Sequence, residues 1–346
     1  MNIGKFNLKT EGVYIIAELS ANHNGNLQNA LDTIKAAKEI GADAIKLQTY
    51  TADTMTLDCR KDDFMITQGT LWDGQYLYDL YKAAYTPWEW HKKLFDYARE
   101  IGIDIFSSPF DKTAVDFLEQ FEPSAYKIAS FEITDYELIR YTASKRRPII
   151  ISTGIATIDE IQDAVDICRA EGNNDIVLLK CTSAYPAALE DANLKTIPDL
   201  AETFRVSSGF SDHTLGITAP IAAVTLGAKV IEKHFILDKS IGGADAEFSL
   251  DREEFSQMVK AVRDTEKLLG KVDYSMTEKK KKSRQFSRSL YVAEHINAGE
   301  VITEKNVRSV RPGYGMHPKH LKSIIGKTVL KNLHFGDRMS FSDIKE

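Results

Sequence analysis

Four lysines, two histidines and several carboxylates and hydroxyls stand at the ends of short β-rich runs in this chain of 346 residues. In order these ends are Glu18, Lys46-Leu-Gln48-Thr, Ser107-Ser108-Pro109, and Lys127 followed by Ser130 and Glu132. Then come Ser152-Thr153-Gly154, Lys180-Cys181-Thr182-Ser183, Ser211-Asp212-His213 and Glu232-Lys233-His234. Alternation along a strand puts Lys46 with Gln48, and Glu232 with His234, on one face. A lysine on an inner wall is costly without an anion beside it. Lys46 and Lys127 therefore suit a cradle for phosphate or carboxylate, or else an internal salt bridge to Glu18 or Glu132. His213 and His234 close neighbouring strands, about 4.8 Å apart, and suit one shared divalent cation or two structural hydrogen-bonding roles. Two imidazoles with oxygens such as those of Asp245 or water fit Mn²⁺ or Mg²⁺ better than a closed zinc site.

The elements that must carry these residues are legible in the apolar periodicity. Strands are expected at 14–19, 44–49, 104–108, 125–130, 148–153, 176–182, 206–211 and 230–236, with helices at 27–40, 87–101, 112–121, 158–171, 217–227 and 252–269. Glycines such as Gly41, Gly102 and Gly227 follow helical runs where a left-handed C′ residue is needed. Eight strand–helix units in some 270 residues make an α/β fold of the (β/α)8 TIM-barrel type, whose sites form at the carboxyl ends of the strands. An open doubly wound sheet fits less well, because no G-x-G-x-x-G follows the first strand. A long polar and aromatic insertion, 51–85, interrupts the pattern after the second strand, on the side where barrel sites form. The run Glu278-Lys-Lys-Lys-Lys-Ser-Arg reads as a solvated linker. Residues 1–275 are expected as the barrel domain, 276–286 as the charged linker, and 287–346 as a small, mostly β second domain.

Composition narrows the function. Hydrophobic residues at 43% and charged residues at 27% describe a globular chain that needs no disulfide staple. The net charge of −6 gives no general attraction to nucleic acid or to an anionic membrane, so neither is expected as a partner. No signal-peptide pattern opens the chain and no run is long enough for a membrane span. Three scattered cysteines, Cys59, Cys168 and Cys181, fit a reducing cytoplasm and no cysteine-based metal site.

Taken together, Glu18-Leu-Ser-Ala-Asn22-His23-Asn-Gly25, Lys46-Leu-Gln48-Thr49, Lys127-Ile-Ala-Ser130-Phe-Glu132, Ser152-Thr-Gly154, Cys181-Thr-Ser-Ala-Tyr185-Pro186, Ser211-Asp-His213 and Glu232-Lys-His234-Phe resemble the sialic acid synthase family. The tail from Arg288-Ser-Leu-Tyr to Arg311-Pro-Gly resembles that family's antifreeze-like (SAF, β-clip) domain. The resemblance implies a transferase that condenses phosphoenolpyruvate with an amino-sugar aldose, releasing phosphate by C–O cleavage. It implies a divalent cation (Mn²⁺, Mg²⁺ or Co²⁺) on His213 and His234. Lys46, Lys127, Ser130, Ser152 and Ser183 would bind phosphoenolpyruvate. Glu18, Tyr185 and Asp245 would meet the sugar, and Glu132 would stand beside the tetrahedral intermediate. Arg311 would be supplied across a domain-swapped homodimer. The versions Arg311-Pro-Gly-Tyr-Gly-Met-His317-Pro, Lys-Ile-Ala-Ser-Phe-Glu and Cys-Thr-Ser-Ala-Tyr-Pro resemble the pseudaminate-forming branch, with 2,4-diacetamido-2,4,6-trideoxy-L-altrose as the aldose. The neuraminate- and legionaminate-forming branches are the alternatives. A Schiff-base aldolase on Lys46, Lys127 or Lys180 is a further alternative. An ice-binding role for the tail sits badly with Arg288, Lys305, Arg308, Arg311, Lys319, Lys322 and Lys327.

Overall fold

Each β-rich run is apolar on both faces over most of its length, and closing eight of them into a cylinder ringed by helices buries both. The computed structural model describes residues 1–67 and 69–345; Gln68 of the expected insertion and Glu346 of the expected second domain lie outside it. Two units result, Met1–Gly270 and Lys271–Glu346.

The first unit opens with a hairpin, β1 (Asn2–Ile3) and β2 (Phe6–Asn7). The barrel strands follow as β3 (Tyr14–Glu18), β4 (Ala44–Thr49), β5 (Asp104–Pro109), β6 (Tyr126–Ile128), β7 (Ile149–Ser152), β8 (Ile176–Cys181), β9 (Ser207–Asp212) and β10 (Val230–His234). They pair in parallel, in chain order, and β10 closes on β3. This is the expected (β/α)8 barrel.

Alternation divides the strand residues between two cores. Ile15, Ala17, Ile45, Leu47, Leu178 and Phe210 face outward beneath the helices. Tyr14, Ile16, Ala44, Phe106, Ile150, Val177, Leu179 and Val230 fill the lower half of the cylinder, and Ile3 and Leu8 of the N-terminal hairpin join them. Nothing in the apolar periodicity had announced that hairpin, because its strands are two residues each.

Local sequence sets the helix ends. Thr157 with Glu160 and Asp251 with Glu254 form capping boxes. Gly102 ends helix Trp88–Ile101 in the left-handed conformation at φ 72°. Two helices that sequence reading missed, Tyr136–Ser144 and Thr196–Phe204, are nine residues each. In the second, Pro198 lies in the first turn, where the absent N–H leaves no helical bond unmade. The strand expected at 125–130 ends at Ile128, and Ser130–Glu132 turn into a 3₁₀ helix instead. The insertion is not structureless: it carries helix Ala52–Met55 and the amphipathic helix Leu77–Ala84.

In the second unit the stretch expected as a linker contains helix Glu278–Arg284, which has no buried residue. Beyond it β11 (Ser289–Val292) pairs antiparallel with β12 (Val307–Val310). An apolar centre of Leu290, Val292, Ile296, Val307, Val329 and Leu333 holds this unit together.

One charged pair lies on the outer face of the barrel. Lys233 Nζ stands 2.5 Å from Asp212 Oδ2, both side chains fully buried, and also donates to the Thr214 carbonyl. Removing one partner leaves a buried charge unanswered. Lys233→Met should therefore lower stability by about 3–5 kcal/mol. The double variant with Asp212→Asn should lose less, as read by urea unfolding.

Candidate active site

The inner face of the barrel changes character toward the carboxyl ends of the strands. One step above the apolar filling, Lys46, Lys127, Glu18 and Glu232 point inward together and are all buried. Lys46 Nζ lies 2.6 Å from Glu18 Oε2 and 3.8 Å from Glu232 Oε2, while Lys127 Nζ lies 3.7 Å from Glu232 Oε1. Ser211, opposite Glu232 in the β9–β10 register, donates to its Oε1 at 3.0 Å. Gln48 donates to Glu18 and Ser20.

Burial works against every charge in this quartet, and the partners decide the outcome. For Lys46, burial is outweighed by Glu18 and Glu232, so its pKa is raised. For Lys127, burial and the nearby Lys46 prevail over Glu232, so its pKa is lowered. Glu232 is held below the usual carboxylate range because Lys127 and Lys46 overcome its burial. Glu18 is pushed up to about 7 by burial and by Glu232, against Lys46. The expected alternative of a salt bridge to Glu18 or Glu132 is thus half met: Glu18 pairs with Lys46, but the second carboxylate is Glu232, not Glu132. Glu232 was not among the expected site residues, although its shared face with His234 was the signal that pointed to it.

Beside the quartet, loops after β6, β7 and β8 converge on Gly154. Its N–H donates to Ser130 Oγ at 3.2 Å. A Cβ at Gly154 would collide with Ser183 Oγ and come within 2.8 Å of Ser130 Oγ, so only glycine leaves these hydroxyls room to face a common point. The buried Ser152 and Ser183 hydroxyls have no hydrogen-bond partner among the described residues. Unanswered donors next to buried lysines make an anion cradle.

The ring centroids of His213 and His234 are 5.4 Å apart. His213 Nδ1 donates to the Thr182 carbonyl at 2.9 Å, which leaves the Nε2 lone pair free in the neutral ring. Burial opposes charge on His213, but Cys181, whose Sγ is 3.7 Å from Nδ1, raises its pKa. Burial, with His213 and Lys46, holds His234 well below its ordinary value, so that ring is neutral. Its Nδ1 is buried without a hydrogen bond and 3.7 Å from Asp245 Oδ2. Among the described residues no group of three His, Cys, Asp or Glu side chains is assembled to hold a metal. The donor set fits an ion held by two imidazoles, with water and substrate oxygens completing its shell, and does not fit a closed protein cage.

Above these layers a chamber of about 430 Å³ is lined at its base by Gln48, Glu132, His234 and Asp245, and at its sides by Tyr185 and Trp72. Trp72 comes from the insertion; its Nε1 donates to the Ala244 carbonyl and its ring lies 5.8 Å from that of Tyr185. Expected residues Glu18, Lys46, Lys127, Ser130, Glu132, Ser152, Ser183, Tyr185, His213, His234 and Asp245 all belong to this end of the barrel. Lys180 does not join them: it alternates outward from Cys181, half-buried, with Nζ on the Cys181 carbonyl and the Thr182 hydroxyl. Arg311 is exposed on the second unit. Phe248, 4.9 Å from His234 between ring centroids, was missed because it lies after the last strand in a loop without a periodic pattern.

The sequence pattern of the NeuB family matches residues 33–274, across most of the barrel and its site, and that of the SAF domain matches 287–345. The chain belongs to the NeuB family. It is 52% identical over 345 residues to the pseudaminic acid synthase of Campylobacter jejuni strain 81-176, covering 100% of both chains. It is 49% identical to the pseudaminic acid synthase of Helicobacter pylori, covering 96% of this chain and 97% of that one. Among solved structures, a spore coat polysaccharide biosynthesis protein of Bacillus subtilis is similar at 36% identity and a TM-score of 0.65, covering 99% and 97%. No helix among the described residues is long and apolar enough to cross a membrane.

In this NeuB-family barrel the Glu132 carboxyl is pushed up to about 7 by burial, with Lys127 opposing. The folded chain keeps a proton there that the unfolded chain releases from about pH 4.3 upward. Stability from this group therefore falls as pH rises toward 7 and then levels. Glu132→Gln should gain roughly 2–3 kcal/mol relative to the parent chain between pH 5 and pH 8, measured by urea unfolding at both values.

Proposed function

We propose that the barrel mouth condenses phosphoenolpyruvate with 2,4-diacetamido-2,4,6-trideoxy-L-altrose and water, giving pseudaminic acid and inorganic phosphate. The observation that carries this reading is the meeting, at one end of the barrel, of two buried lysines, the Gly154 cradle and two neighbouring imidazoles. The identities of 52% and 49% to two enzymes named pseudaminic acid synthase support the choice of aldose.

Lys46, Lys127 and the hydroxyls of Ser130, Ser152 and Ser183 would hold the phosphate and carboxylate of phosphoenolpyruvate. Glu18, which binds a proton near neutrality, limits the charge the layer must carry when that anion arrives. Carbon 3 of phosphoenolpyruvate then bonds to the aldehyde carbon, and the aldehyde oxygen takes up a proton. Water adds to carbon 2, and the carbon 2–oxygen bond to phosphate breaks. Glu132, with its pKa near 7, is suited to take the proton from that water. Glu18, Asp245 and Tyr185 would orient the sugar. His213 and His234 would hold a divalent cation (Mn²⁺, with Mg²⁺ or Co²⁺ as substitutes), which supplies Lewis-acid polarisation of the aldehyde. Preorganised lysine charge would stabilise the phosphate throughout.

Against Schiff-base chemistry stand Lys46, locked to Glu18 in its charged form, and Lys180, which turns away from the chamber; Lys127, whose pKa burial lowers, is the candidate that borohydride trapping tests. We further assign a homodimer in which Arg311 of the partner subunit reaches the sugar. The exposed Phe131, Ile155, Leu189 and Leu215, on successive loops at the barrel mouth, support a covering surface there. Free Cys59, Cys168 and Cys181 support a reducing, cytoplasmic setting.

Mass spectrometry of products from phosphoenolpyruvate and a panel of hexosamine aldoses tests the reaction. The trideoxy-altrose should yield a nine-carbon keto acid with one phosphate released per turnover. A preference for the neuraminate or legionaminate aldose would overturn the substrate assignment. EDTA should abolish turnover and Mn²⁺ restore it, while borohydride should trap no lysine adduct.

Mixing Arg311→Ala with His234→Ala chains tests the shared site. Random mixed dimers should recover about a quarter of the sites. No recovery after verified subunit exchange would place Arg311 in its own chain's site or outside any.

A further inference from the structure

Besides the β11–β12 pair, the second unit carries an antiparallel contact between Ile296 and Leu333. Each donates its N–H to the other's carbonyl, at 2.9 and 2.8 Å. Both side chains are buried in the apolar centre, so the adjoining His295 and His334 turn to the opposite, exposed face. In an antiparallel register these two stand opposite one another, in the more closely spaced kind of pair. Their ring centroids are 4.9 Å apart, with the planes tilted by 40°. Two imidazole nitrogens about 2.1 Å from one tetrahedral cation keep their ring centres roughly 5 Å apart. The wiring of His295 is that of a ligand. Its Nε2 lies 2.9 Å from Asn297 Oδ1. Asn297 Nδ2 donates to Glu300 Oε1 at 3.2 Å, and its backbone N–H donates to Glu300 Oε2 at 2.7 Å. Glu300 thereby aims the amide oxygen at the ring, so Nε2 carries the proton and Nδ1 keeps its lone pair. An oxygen acceptor of this kind orients metal-bound histidines, as the Thr182 carbonyl does for His213.

We propose that His295 and His334 form a cation site of the second unit's own, for a late first-row divalent ion such as Ni²⁺, Cu²⁺ or Zn²⁺. His295 Nδ1 and one ring nitrogen of His334 bind the ion, and water completes its shell. The carboxylates next along the chain are engaged elsewhere. Asp337 accepts from the His334 backbone N–H at 2.7 Å, and Glu294 pairs with Lys305 at 3.4 Å. A donor set of imidazole without carboxylate favours these ions over Mn²⁺ and Mg²⁺, which prefer oxygen. The ion ties the segment after β11 to the segment around Leu333, beside their two backbone hydrogen bonds. The apolar centre of this unit is small, and a metal staple is a common supplement to a core of that size. The site is independent of the reaction proposed above.

Equilibrium dialysis of the full chain against Ni²⁺ tests this, after EDTA treatment and removal of the chelator, at about pH 8, where imidazole is neutral. His295→Asn and His334→Asn should each bind one ion per chain fewer than the parent, with Mn²⁺-dependent phosphate release unchanged. Asn297→Ala should weaken that binding by about 10–100-fold, the usual cost of removing the partner of a ligating histidine. Asn297→Asp, which keeps an oxygen acceptor, should retain it. Ni²⁺ should also slow hydrogen exchange at the Ile296 and Leu333 amides in the parent chain and not in His334→Asn. Equal binding by the parent and both histidine variants, or loss of the same ion from His317→Asn elsewhere in the unit, would overturn the site.

Discussion

Two lysines buried on the inner wall of a barrel need a permanent answer to their charge, and the rest of the site follows from how it is supplied. Glu18 and Glu232 bracket Lys46, and Glu232 also reaches toward Lys127. The arrangement is uneven. Lys46 is satisfied by a short contact, whereas Lys127 has a longer one and a pKa pulled down by burial. A second anion is therefore favoured on the Lys127 side, where the Gly154 cradle lies. The pairs are too well buried for solvent screening to weaken them much, so the layer holds its geometry before any ligand arrives.

The insertion does a different job from the strands. Strands fix charges in a rigid lattice of parallel hydrogen bonds, while the insertion supplies apolar surface over them. Trp72 fastens the two together through the Ala244 carbonyl and the face of Tyr185. Polar groups placed by the barrel thus work beneath an apolar cover, where hydrogen bonds and charges act in a lower dielectric than at an open strand end.

Most of the barrel was legible because period-two runs and helical runs alternate eight times, and strand-end residues such as Lys46, Lys127, His213 and His234 are where that pattern says they must be. What escaped notice had physical reasons. The first hairpin has two-residue strands, below the length at which alternation can be recognised. Glu232 was visible beside His234, yet its value as the common partner of both lysines depends on β6 and β10 facing each other across the barrel, which no local spacing reports. Ser130 belongs to a 3₁₀ turn and not to the strand because the ladder between β6 and β7 ends at Ile128. The cradle's dependence on Gly154 rests on three loops meeting, a property of the closed fold alone.

The hairpin at the lower end of the cylinder has a consequence for the tiers above it. Ile3 and Leu8 add to the apolar filling of the far side, so the polar tiers belong to the end where the strands finish. Gln48 and His234 line the upper room, while Lys46 and Glu232 stand one inward-facing step deeper on the same strands, about 6.6 Å below. A group docked on the lysine tier therefore lies beneath anything that fills the upper room, like the lower of two stacked trays.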